Sequence, residues 1–158
     1  MNLKHWLFLA LLAALIASPT VNAQKRRGRT SRRTAITGAA AESWKTFLPA
    51  FTAAVKNNDR AYLRKVMVKD FTYTFGDSAD DQDEAFRYFD DRTNYEGKTG
   101  WQVLQEILAK GAVPDVENMR TGSKRPTYIA PPRAGMGCRS SWEFYGDSWH
   151  WMSFVCGD

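Results

Sequence analysis

The chain is poor in the residues that most often carry chemistry. It has two cysteines, Cys138 and Cys156, and no C-x-x-C spacing, so neither a disulfide framework nor a dithiol redox motif is written into it. Beyond His5 there is one histidine, His150. No G-x-S-x-G, Walker, H-E-x-x-H or G-x-G-x-x-G sequence occurs, which leaves no recognisable nucleophile elbow, phosphate loop, zinc helix or dinucleotide turn and no cofactor expected. There is no internal repeat. Long apolar runs are missing too. The one that exists, Trp6 to Ile16, has eleven residues, while a membrane-spanning helix needs about twenty.

That short run follows Lys4 and His5 and precedes Val21-Asn22-Ala23, with small residues where signal peptidase cuts. Residues 1–23 therefore read as a signal peptide. The mature chain is expected to be exported, periplasmic or secreted, and not an integral membrane protein. The pI of 9.3 belongs to one segment: QKRRGRTSRR, residues 24–33, carries six cations and no anion, whereas residues 34–158 carry 15 Lys and Arg against 17 Asp and Glu. Without apolar periodicity, residues 24–41 read as a basic disordered arm. It is a solvated linker or an attachment to an anionic surface, where each cation contributes about 1 kcal/mol near charged headgroups. In a eukaryotic source RRGR and RTSRR read instead as processing sites. Nucleic acid is not an expected partner, because a folded body of net negative charge has no basic face for counterion release.

Residues 42–158 have the length of one domain. Trp44, Phe47, Leu48, Phe51 and Val55 recur at helical spacing, with Pro49 implying a kink there or a start near Leu48. Asn58-Asp59 can cap a second helix from Arg60 to about Val68. Residues 70–76 alternate aromatic and threonine, the period of a half-buried strand. Asp81 or Asp83 can cap a helix through Phe86 and Phe89, and Thr99 to Lys110 forms another, closed by Gly111. Between Gly111 and Met136 the prolines and glycines leave only PTYIA as an extended piece.

An exported chain with two cysteines pairs them, since the compartment is oxidising. Placing Cys138 opposite Cys156 on antiparallel strands puts Trp142 opposite Met152, Phe144 opposite His150 and Ser140 opposite Phe154 on the disulfide's side. The other side then holds Arg139 with Val155, Ser141 with Ser153, Glu143 with Trp151 and Tyr145 with Trp149. The segregation of apolar residues supports this register. It requires a three-residue loop, Gly146 to Ser148, or a two-residue Gly-Asp turn with a bulge. The expected fold is α+β: several short helices packed on a curved antiparallel sheet that ends in a disulfide-linked C-terminal hairpin.

Residues 51–73, FTAAVKNNDRAYLRKVMVKDFTY, together with the closing FYGDSWHWMSFV, resemble the beginning and end of proteins of the NTF2-like (SnoaL-like) superfamily. The resemblance implies an amphipathic helix, a short second helix and a strand at the start, and a curved sheet ending in a hairpin of the form aromatic-turn-Trp. Some members are isomerases or cyclases using a pocket Asp or His, and many are non-catalytic.

Three functional expectations follow. The first is an exported non-catalytic domain that binds a small apolar ligand or an envelope protein partner through the hollow between helices and sheet. The second is a small isomerase or hydrolase using His150 with Asp70 or Asp90 and Tyr73. The third is binding of a cell-surface polymer through the arm and an aromatic face of Tyr145, Trp149 and Trp151. Asp77, Asp80, Asp81, Asp83 and Glu84 lack EF-hand spacing, since position six of a loop from Asp77 is Gln82 and position twelve is Tyr88. They read as caps and solvated charge, and no metal is expected. If the arm attaches the protein to an anionic surface, binding to anionic vesicles should weaken as salt rises from about 0.05 to 0.5 M. Deleting residues 24–33 should then abolish binding with the melting temperature unchanged; equal binding by the truncated protein rejects the attachment.

Overall fold

A computed structural model describes residues 36–74, 78–79, 81–132 and 137–157. The expected signal peptide and the cations of the arm lie outside the described residues. The folded part begins before residue 42: Ile36 packs against the core, Ala40 is buried, and helix α1 spans Ala39–Asn57. It runs through Pro49, neither starting there nor ending there. Pro49 and Lys45, whose carbonyl loses its partner, are both exposed, so the missing hydrogen bond leaves no buried acceptor. Trp44, Phe51, Ala54 and Val55 form the buried side.

Asn58 takes a left-handed conformation that stops α1, and the Asp59 carboxylate accepts the Tyr62 N–H to open α2, Arg60–Val66. The chain then passes directly into strand β1, Met67–Thr72, whose Met67 and Phe71 are buried. The strand thus starts three residues earlier than its alternating pattern suggested. Asp81 accepts the Glu84 N–H to cap α3, Gln82–Asp90, which buries Ala85, Phe86 and Phe89. A 3-10 turn, Arg92–Tyr95, leads to α4, Gly100–Ala109. There Thr99 and Gln102 form a reciprocal capping box, and Gly111 adopts φ 87° just beyond the helix, as its position required.

The proline-rich stretch is more ordered than its composition suggested. It contains β2, Val113–Pro114, helix α5, Val116–Thr121, capped by Asp115, and β3, Thr127–Ala130, the PTYIA strand. Strands β4, Gly137–Tyr145, and β5, Ser148–Gly157, complete a five-stranded sheet of order β1-β5-β4-β3-β2. The fold is α+β as expected. The sheet is mixed, because β1 joins β5 in parallel while the other pairs are antiparallel. A strand that enters the sheet from a helix and pairs with the last strand of the chain has a direction no local pattern reveals.

Cys138 and Cys156 are joined and face each other. Closing a loop of this size contributes roughly 3 kcal/mol in the chain-entropy account. The expected pairing holds from Gly137 to Ser141, where Ser140 meets Phe154 and Ser141 meets Ser153. It then shifts by one: Trp142 pairs with Trp151 rather than Met152, Glu143 with His150, Phe144 with Trp149, and Tyr145 with Ser148. Of the two turn solutions, the hairpin adopts the two-residue one. Gly146 and Asp147 both have positive φ, 54° and 60°, the combination a type I′ turn demands and the one that suits strand twist. The residue left over is Met152, absorbed as a bulge.

Both sheet edges are occupied or short. On β1 the Met67 carbonyl accepts from Gln82 Nε2 at 2.8 Å, the Phe71 carbonyl accepts from the Ala79 N–H at 2.9 Å, and Thr72 bridges Ser78. Strand β2 is two residues long and ends in Pro114.

The interior is built of rings. Trp142 and Trp151 stand side by side, fully buried, and Phe51 meets them edge-on at 5.3 and 5.1 Å. Phe71, Phe89 and Phe154 continue the layer toward the disulfide end. Toward the hairpin end Trp44 stacks on Tyr128 at 4.0 Å and meets Trp149 at 4.6 Å. Edge-on pairs of this kind contribute about 0.5–1.5 kcal/mol each beyond their burial. One contact is tight enough to dictate a residue. A Cβ on Gly100 would lie 2.9 Å from Tyr95 Cε2 and Cζ and 3.0 Å from the Phe89 Cα. Gly100→Ala is therefore expected to lower stability by about 1–3 kcal/mol, overriding the helix preference of alanine, about 1 kcal/mol. Thermal unfolding would show it as a lower Tm, and an unchanged or higher Tm would contradict the contact.

Candidate functional site

The residues that the sequence suggested as a catalytic group each have their own surroundings in the structure. His150 lies on β5 opposite Glu143, half-buried, with its Nε2 2.9 Å from Ser148 Oγ and its ring stacked on Tyr145 at 3.9 Å. Among the described residues no carboxylate is in ion-pair contact with it. Asp70 is exposed on β1. Tyr73 donates its hydroxyl to Glu84 at 3.1 Å and packs edge-on against Tyr88.

Asp90 has another task. At the end of α3 its carboxylate accepts both the Arg60 guanidinium, at 2.7 and 2.8 Å, and the Trp101 indole N–H, at 2.8 Å. Arg60 in turn lies over the Phe86 and Trp101 rings at 5.7 and 5.9 Å. Asp90 thus ties α2, α3 and α4 together, a role no motif announces because its partners are 30 and 11 residues away. None of His150, Asp70, Asp90 and Tyr73 lines the two concavities bounded by residues 95–109, 137–138 and 156–157.

The expected aromatic face of Tyr145, Trp149 and Trp151 does not exist as a face. The bulge at Met152 rotates β5, so Trp149 and Trp151 point into the core at 3% and 0% exposure, on the side of Trp142 and the disulfide. Trp149 donates its indole N–H to Ser43 of α1 at 3.1 Å. Trp151 donates to Ser140 Oγ at 2.8 Å, and Ser140 donates in turn to the Ser153 carbonyl at 2.8 Å. This buried serine satisfies the bulge's polar groups. Only Tyr145 stays at the surface, between His150 and the Arg125 guanidinium, 4.6 Å from its ring.

Within the acidic stretch, Asp81 caps α3, Asp83 pairs with Arg64, and Glu84 accepts from Tyr73; Asp77 and Asp80 lie outside the described residues. No group of three His, Cys, Asp or Glu side chains among the described residues is placed to hold a metal ion. Asp91 accepts the N–H and hydroxyl of Thr93, which hold its carboxyl below the usual range.

A binding-sized concavity opens at the disulfide end. It measures about 500 Å³ and is lined by Tyr95, Glu96, Lys98, Val103 and Glu106 on one side and by Gly137, Cys138, Cys156 and Gly157 on the other. Lys98 and Glu106 close one rim with a 2.7 Å ion pair. Tyr95 and Val103 supply apolar surface beside the disulfide. The Tyr95 hydroxyl is buried and takes no hydrogen bond among the described residues; desolvation, with a smaller contribution from Tyr88, pushes its pKa far up and keeps it protonated. Sequence reading missed this site because its lining comes from four separate segments, and the one legible element was the cysteine pair. Among the described residues no helix is long and apolar enough to cross a membrane. Comparisons with family models, curated proteins and solved structures returned no match.

The Asp90 cluster yields a test of its scaffold role. Asp90→Ala leaves the Trp101 N–H and Arg60 unpaired and should cost about 1–3 kcal/mol, seen as a lower urea midpoint. His150→Ala, which removes one exposed hydrogen bond and one ring contact, should shift the midpoint far less. Equal losses would overturn this division of roles.

Proposed function

We propose that the protein is an exported, non-catalytic domain that holds a small apolar ligand in the cleft beside its disulfide. The observation that carries this reading is where space remains. Between helices and sheet Phe51, Phe71, Phe89, Trp142 and Trp151 are all fully buried and packed on one another, which speaks against a ligand among them. The cleft at the disulfide end has about 500 Å³, inside the range of roughly 300–1,000 Å³ common for ligand sites. Its apolar floor, Tyr95, Val103 and the Cys138–Cys156 bridge, suits an apolar body, and Lys98 with Glu106 at the rim suits a polar end. The disulfide and the eleven-residue apolar leader support export. The separate surroundings of His150, Asp70, Asp90 and Tyr73 favour binding over acid-base catalysis.

Native mass spectrometry of the protein recovered from its own compartment tests this reading. A retained adduct is expected in the wild type and should be lost in Val103→Trp, whose indole occupies the cleft, with the Tm within a few degrees. An adduct that survives the filled cleft, or recovery of ligand-free protein alone, rejects it.

A further inference from the structure

The two walls of the cleft beside the disulfide are built differently. One is packed: the Tyr95 ring meets Phe154 at 5.9 Å and Tyr88 at 5.7 Å, and Val103 of α4 lies against the core. The other consists of Gly137, Cys138, Cys156 and Gly157. The register shows what supports it. Strand β3 ends at Ala130, opposite Ser140, and β1 ends at Thr72, opposite Ser153. Beyond those points residues 137–139 and 155–157 pair only with each other among the described residues. A ribbon of two strands with no third is marginal on its own. Its inward side chains are the two cysteines, since Gly137 and Gly157 have none and Arg139 and Val155 fall on the opposite face. Cys138 and Cys156 pack against the core and carry the ribbon's hold on the body.

We propose that the Cys138–Cys156 bond is a thiol-exchange site, open to a dithiol reductant in the folded protein, and that its redox state decides whether the cleft keeps its second wall. The inference rests on the reading of the cleft as a ligand site. Both cysteines are half-buried and line the cleft, and their neighbours in that wall are glycines, which leave the approach to sulfur unscreened. A thiolate of the dithiol attacks one of the two sulfurs. A mixed disulfide forms as the Cys138–Cys156 bond breaks, and the freed cysteine departs as a thiolate that takes a proton. The second thiol of the reductant then displaces the remaining cysteine, so the dithiol is oxidised to a disulfide and two thiols stay on the protein. A dithiol suits this step better than a single thiol, because its second group acts within the same complex at high effective concentration. The fold outlasts the exchange, since toward the turn β4 also pairs with β3 and β5 with β1, and Trp142, Trp151 and Phe154 are fully buried. What is lost is the tie across the ribbon, and the effect is confined to that wall.

Dithiothreitol serves as the dithiol, and Nile red, a neutral apolar fluorophore, as the probe of the cleft. Treated with dithiothreitol without denaturant, the exported protein is expected to show both cysteines alkylated by iodoacetamide in mass spectrometry. Amides of residues 137–139 and 155–157 should then exchange with deuterium at least about tenfold faster, whereas those of Trp142 and Trp151 stay protected. Nile red should bind the oxidised protein and bind the reduced one at least about tenfold more weakly. The double variant Cys138→Ala with Cys156→Ala, which lacks the bond with no reductant present, should reproduce both changes. Thiols that appear only in denaturant overturn the proposal, as do unchanged exchange in the ribbon, protection lost throughout the chain, or equal dye binding by the two forms. If the oxidised protein takes up no dye, the ligand reading of the cleft falls and the gating falls with it. Exchange in the ribbon, which depends on no ligand, tells that failure apart from a bond that does not open the wall.

Discussion

The pairing of Trp142 with Trp151 across the terminal hairpin is the contact on which the rest of the interior depends. It exists because the turn uses two residues and the strand after it carries one extra, so that the side chains of β5 change sides at Met152. Without that change Trp149 and Trp151 would face solvent, and the sheet would bring one tryptophan to the core where it now brings three. Phe51 of α1 and Phe71 of β1 pack directly on this pair, which fixes the height at which the helices ride on the sheet. The Ser140 hydroxyl, accepting from Trp151 and donating to Ser153, is the polar counterpart: it settles hydrogen bonds that a bulge would leave buried and open.

A core so rich in rings has a functional corollary. Aromatic side chains are rigid and large, and arranged edge-on they close the space that a half-open sheet and three helices would otherwise enclose. The described concavity accordingly lies at the rim, outside this packed layer. The disulfide sits at that rim, where it both fastens the last strand and forms part of the cleft floor. One covalent bond thus shapes stability and surface together.

Much of this was legible in the residues. The helix caps at Asp59 and Asp81, the left-handed Gly111, the cysteine pair and half of the hairpin register follow from local chemistry, and local chemistry is what a sequence displays. What escaped has a common cause in distance. The shift after Ser141 turns every later residue of β5, yet nothing near Met152 marks it except the length of the turn. The parallel entry of β1 depends on a strand some 80 residues later in the chain. The task of Asp90 depends on Arg60 and Trp101, and the cleft on four segments that meet only after folding. In the proline-rich stretch, prolines suggested a loop, whereas Asp115 caps a helix and Pro114 merely ends an edge strand.

Those edges have a consequence for how the molecule behaves in a crowded compartment. A sheet grows without limit when its outer strands offer free N–H and C=O groups to a neighbour. Here one border has its acceptors at Met67 and Phe71 engaged by Gln82 and Ala79, and the other is two residues long and closes with an imide nitrogen that carries no hydrogen. Extension by strand addition, the route to fibres, is therefore obstructed at both borders. An incoming strand would first have to displace the Gln82 and Ala79 contacts on one side or outlast a two-residue ladder on the other.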